Sequence, residues 1–149
     1  MPRPSPFGDD SGTAPLEFIL GGLLLLVPLV YLVVSLGLIQ EQSLGVESGA
    51  RHIARAVATA PDAATARQRA DAVAHAIADE YGIAADELTV EMTCRPAGEC
   101  PRAGATLMVT VATRVALPLA PPVLDIDRLA SVPVSATSAA KVSRLWSVG

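Results

Sequence analysis

The chain has 149 residues and a net charge of −4, with 51% hydrophobic, 3% aromatic and 17% charged residues. Once an apolar N-terminal stretch is set aside, roughly 100 residues are left, enough for one small domain and too few for a multidomain enzyme. The eleven basic residues are scattered without a basic stripe, which argues against nucleic acid as a partner.

Residues 18–39, FILGGLLLLVPLVYLVVSLGLI, carry no charge. As a helix they would reach about 33 Å, against a hydrocarbon core of about 30 Å. A small domain has no core large enough to hide a helix that is apolar all round, so a single-pass anchor in membrane lipid is expected. The apolar core of a secretory signal peptide is shorter, about 7 to 15 residues, with a small-residue cut just after it. Here the stretch is longer and runs into Gln40, Glu41 and Gln42, so it is read as a retained anchor. Pro28 and the Gly21-Gly22 pair lie inside the span, where neighbouring groups can satisfy the carbonyl that a proline frees.

Directly before the span stand Gly12, Thr13, Ala14, Pro15, Leu16 and Glu17. A cut after Gly12 would make Thr13 the first residue of the mature chain and Glu17 the fifth. An ionised carboxylate costs about 2.5 to 3.5 kcal/mol at mid-span and less near the edge, and a cationic partner removes that cost. On the Gly12/Glu17 spacing, the Glu17-Phe18 opening and the layout of one N-terminal helix followed by a small domain, the chain resembles the TadE-like and TadF-like minor pilins, or pseudopilins, of the tight-adherence (Tad) pilus. The resemblance implies a prepilin-type leader over residues 1–12, a transmembrane helix over 13–39 and an extracytoplasmic domain over 40–149. It also implies cutting between Gly12 and Thr13 by a prepilin peptidase, and a role for Glu17 in docking onto neighbouring subunits. The implied partners are other pilins and Tad assembly-platform proteins, and the implied location is the cytoplasmic membrane. The leader departs from the family pattern, because Arg3 is offset by Asp9 and Asp10 and the charge rule for orientation is weak. The alternative class is a single-pass anchored binding or envelope-assembly domain that is not polymerised. Cleavage after Gly12 separates the two.

Beyond the span, Ile39, Val46, Ala50, Ile53, Ala54, Val57 and Ala58 recur at helical spacing, so the helix is expected to continue to about residue 60 with one face packed. Gly45 and Gly49 form a small-xxx-small pair that would let another helix approach closely. Pro61 interrupts the pattern, and Asp62 is placed to cap a second helix over residues 63–81. Its apolar side is Ala66, Ala70, Val73, Ala74, Ile77 and Tyr81, and Gly82 closes it. His75 and Asp79 share a face, but no third ligand has a sensible spacing, so no metal is expected there; His52 reads as a helix-surface residue.

The period then changes from 3.6 to 2. Leu88, Val90, Met92 and Cys94 alternate with polar residues, as do Leu107, Val109, Val111, Thr113, Val115 and Leu117, which predicts two half-buried strands. Cys94 and Cys100 flank the turn-rich loop between them and suit a disulfide in an oxidising compartment. Residues 118–130 read as a connection, and a third strand is expected over 132–142, an edge strand because of Pro133. The fold class is α+β: an N-terminal transmembrane helix extended into a small pilin-like domain with a second helix and a three-stranded antiparallel sheet of open strand order. No Gly-x-Ser-x-Gly elbow or Gly-rich phosphate loop is present, so no catalytic residues, cofactor or small-molecule substrate are expected.

Overall fold

The computed structural model describes residues 14–118 and 131–146. Gly12, Thr13 and all but the first residue of the expected 118–130 connection lie outside the described residues.

Helix α1 (Ala14–Ala58) is continuous for 45 residues, with Pro28 inside it. Its C-terminal half lays down the expected stripe: Val46, Ala50, Ile53, Ala54, Val57 and Ala58 are each no more than 5% exposed. Glu47 and Arg51, one turn apart on the opposite side, form an ion pair in solvent.

Helix α2 (Ala63–Glu80) starts at the expected cap. The Thr65 amide donates to Asp62 Oδ1 at 2.8 Å and the Thr65 hydroxyl to Oδ2 at 3.0 Å. The backbone bond from Thr65, then the side-chain bond from the same residue, hold the Asp62 carboxyl below its ordinary pKa. A depressed folded-state pKa contributes stability that is present above the unfolded carboxylate's pKa and is lost as pH falls through the folded value. Acid titration should therefore weaken the α2 N-terminus, and Asp62→Asn, which keeps the acceptor without the charge, should flatten this part of the acid limb. An unchanged acid limb, followed by circular dichroism, would show that the charge adds nothing to the cap.

At its other end α2 stops where Gly82 adopts φ +61, a left-handed conformation that glycine takes without strain. The Ile83 amide then donates to the Ala78 carbonyl at 2.9 Å, which satisfies a terminal acceptor. Ala66, Ala70, Ile77 and Ala78 are buried along the helix. Tyr81 follows the last turn and is half-buried.

The glycine pair on α1 accommodates α2 of the same chain. A Cβ built at Gly45 would lie 2.7 Å from Tyr81 Cγ, and one at Gly49 would lie 3.4 Å from the Ile77 side chain. The close helix approach expected from these glycines is thus intramolecular, and it fixes α2 antiparallel to α1.

Strands β1 (Thr89–Arg95), β2 (Thr106–Ala116) and β3 (Ser131–Lys141) form one antiparallel sheet in the order β1-β2-β3. In its register, Val109 lies between Met92 and Ser138. Leu107, Val109, Val111 and Val115 of the central strand are fully buried against the helical layer. The other face is solvent-exposed or half-exposed, and on it the Thr110 and Thr137 hydroxyls share a 2.9 Å hydrogen bond across β2 and β3. Helix α1 packs over β2 and β3, while α2 lies along the flank of α1.

The domain has two distinct ends. At the end remote from the apolar segment, the Ser143 amide donates to the Ala58 carbonyl at 3.0 Å and the Val142 amide to the Ala105 carbonyl at 2.9 Å. Trp146 is buried there, and its amide donates to Ser143. At the opposite end, the residues after α2 meet the end of β2 and the start of β3: Asp86, Glu87, Arg114, Ala116 and Ser131 line one cleft of about 730 Å³. We call these the distal and the span-proximal ends.

Candidate functional site

The N-terminal segment of α1 differs from everything else in the fold. From Leu16 to Leu36 its Leu, Ile and Val side chains and Phe18 stand 47–83% exposed, and its mean hydropathy reaches 2.6. Leucine and valine dominate it, and a helix satisfies every backbone group internally except at Pro28 and the ends. By length and composition it can cross a membrane. A Cβ added at Gly21, Gly22 or Gly37 would meet nothing within 4 Å, so among the described residues nothing packs against those positions.

One face of the apolar stretch is covered before the stretch ends. Tyr31, Leu38, Ile39 and Gln42 are half-buried and Ser35 is 7% exposed, at helical spacing that leads into Val46. Sequence reasoning missed this. A serine in the middle of Val-Val-Ser-Leu-Gly is the one signal that could have marked the face. Residues 15–30, exposed on every side, would reach about 24 Å at 1.5 Å per residue.

Glu17 lies in the first turn of α1 and is exposed. An acidic side chain is favoured there by the helix dipole, and it is free to meet a cation from outside the chain. Its expected companions Gly12 and Thr13 lie outside the described residues.

At the distal end, Cys94 and Cys100 form a disulfide with an S–S distance of 2.06 Å and a Cα–Cα distance of 5.5 Å. It ties the end of β1 to the loop leading into β2. Arg102 donates to the Pro96 carbonyl at 3.2 Å, a second clasp within the same loop. Closing so short a loop removes about 2 kcal/mol of unfolded-state entropy on the chain-entropy estimate. Reduction should lower the denaturation midpoint accordingly, and thiol alkylation of protein exported in its native host should find neither cysteine free. Two alkylated cysteines would refute the bridge in the cell.

The remaining polar residues do not converge. His52 and His75 are both exposed, and among the described residues no group of three or more His, Cys, Asp and Glu side chains is placed to hold a metal ion. His75 and Asp71 border a cleft of about 250 Å³ between α2 and β1 that is otherwise lined by alanines, Leu88 and Val90. The span-proximal cleft brings Asp86 and Glu87 near Arg114, which makes it a charged surface without a nucleophile–base pair. What the arrangement offers is an exposed apolar helix joined to a rigid, disulfide-clasped domain. No family model, curated protein or solved structure matches the chain.

Proposed function

We propose that the protein is a minor pilin, or pseudopilin, of a Tad-type pilus. It is inserted in the cytoplasmic membrane by α1, carries its α+β domain outside the cytoplasm, and is processed by a prepilin peptidase before joining the assembly. The observation that carries this reading is the division of α1: one continuous helix is apolar and uncovered over its first part and forms the backbone of the domain core over its second. Such a helix passes the domain's position directly to a membrane or to neighbouring helices, because no flexible linker intervenes.

Glu17 gives this anchor its assembly chemistry. A carboxylate at the mouth of an apolar helix gains most from a cation on a neighbouring subunit, and the amino group that cutting would free on Thr13 is one of that kind. No catalytic step is required of any residue. The function is mechanical: anchoring, docking and polymerisation with other pilins and the assembly platform.

The test is N-terminal sequencing of the protein from the membrane fraction. A mature chain beginning at Thr13 is the expected result, and Gly12→Leu should retain the leader while leaving insertion intact. Glu17→Gln should leave insertion and processing at normal levels but abolish recovery with pili. A chain that still begins at Met1 would favour the anchored domain that is not polymerised.

A further inference from the structure

Charges that are scattered in the sequence are sorted by the fold. A plane through the Gly49–Ile77 contact lies about 13 Å below Ala58 at 1.5 Å per residue. That is about four rungs down the sheet from Ser143 at 3.3 Å per residue, level with Ala139, Met108 and Thr93. On the distal side of this plane the helices contribute Arg51, Arg55, Arg67 and Arg69. The hairpin and the C-terminal turn add Arg95, Arg102, Lys141 and Arg144. Among the described residues three acidic ones oppose them, Asp62, Asp71 and Glu99; eight minus three is a net charge of +5.

On the span-proximal side the balance reverses. Glu41, Glu47, Asp79 and Glu80 lie on or at the ends of the helices, and Asp86, Glu87 and Glu91 lie between α2 and the middle of β1. With Glu17 set apart at the far end of the apolar segment, Arg114 alone opposes them among the described residues; one minus seven is a net charge of −6. All seven acidic side chains are exposed, as are the distal arginines except the half-buried Arg102. Glu47 and Arg51 pair across the plane, so they contribute least to either pole.

The two poles match in size, oppose in sign and lie along the axis of the anchor. We propose that the distal basic pole of one copy docks beside the span-proximal acidic pole of a neighbouring copy, so that copies associate with an axial offset of roughly 15 to 20 Å, the rise of ten to thirteen helical residues. This deepens the filament reading above and rests on it. Two copies anchored level in one bilayer set like poles side by side, and at physiological salt these act over a Debye length of about 8 Å, so they oppose contact. Displacing one copy along the axis brings unlike poles together. Pairing is therefore suppressed while both anchors sit at the same depth and becomes favourable when one is drawn out of the bilayer. The pole-to-pole contact is heterologous, the interface type that continues into an open filament.

The experiment uses the full chain in detergent micelles, where depth is not imposed. Ala64→Cys marks the basic pole and Ala84→Cys the acidic pole; both positions are exposed, and the two native cysteines are engaged with each other. With a short bismaleimide linker, mixed Ala64→Cys and Ala84→Cys proteins should give unlike cross-links in clear excess over like ones. The excess should vanish at salt high enough to bring the Debye length to about 3 Å. Arg67→Glu with Arg69→Glu on one protein takes its basic pole from +5 to +1, and Asp79→Lys with Glu80→Lys on the other takes its acidic pole from −6 to −2, so each pair of changes should sharply reduce the unlike cross-link and the two together should reduce it further. Like cross-links equal to unlike ones, indifference to salt, or an unlike cross-link that keeps its original level after both sets of charge reversals would each overturn the proposal. So would a basic pole that binds inorganic polyphosphate while showing no offset cross-link, since that would make an anionic polymer the partner. Processing reports on the filament reading separately: offset cross-links in a chain never cut after Gly12 would remove the filament and leave the pairing.

Discussion

Leu107→Ala is expected to destabilise the domain by about 2 to 5 kcal/mol, the range for deleting a buried leucine side chain and leaving a cavity. Leu107 is fully buried in the central strand, paired to Cys94 on one side and Ala140 on the other. Neither neighbour is large enough to collapse into the space, and Cys94 is held by its disulfide, so the upper part of the range is the expected outcome. Against a total of about 5 to 15 kcal/mol for an ordinary domain, such a loss leaves little margin. Urea unfolding of the protein in detergent, followed by Trp146 fluorescence, measures it. Leu24→Ala is the control. It removes the same atoms from a side chain that is 80% exposed, and it should leave the midpoint where it was. A loss under about 1 kcal/mol at Leu107 would mean that the sheet–helix core is looser than its burial shows.

The second large effect is expected at Gly45. A Cβ there would stand 2.7 Å from Tyr81 Cγ and 3.1 Å from both Cβ and Cδ1, at the root of a ring that cannot swing aside without moving α2. Gly45→Leu should therefore cost at or above the upper end of the usual overpacking range of about 1 to 3 kcal/mol. The neighbouring site makes a sharp comparison. At Gly49 the nearest atom is a terminal carbon of Ile77 at 3.4 Å, an ordinary van der Waals contact. Gly49→Ala should then be neutral or stabilise by up to about 1 kcal/mol through helix propensity. If the two sites respond alike in thermal unfolding, the close approach at Tyr81 is not what selects glycine. Combining Gly45→Leu with Tyr81→Ala should recover part of the loss, because the two changes act on one contact.

The elements of this fold that were legible in the sequence are those set by local period and local chemistry. The charge-free stretch announces a helix that cannot be buried in so small a domain, whatever its neighbours. The Asp62 cap, the Gly82 stop and the strand alternation of residues 106–116 depend on hydrogen bonds and side-chain directions within a few residues, so they were readable in advance and are found in place. The disulfide was readable because its cysteines close a short hairpin.

Other features depend on which distant segments meet, and local pattern is silent about that. The Gly45/Gly49 pair promised a close helix approach, but only the antiparallel return of α2 decided that its partner is Ile77 and Tyr81 of the same chain. Strand order followed from the register of β2 between two edges, and the burial of Ser35, at 7% exposure inside the apolar stretch, is likewise a tertiary feature. The sorting of charge is the clearest case. Arg67, Arg95 and Lys141 lie far apart in sequence, and only the up-and-down course of α1, α2 and the strands brings them to one end. Period is a property of neighbouring residues, whereas polarity along an axis belongs to the folded path.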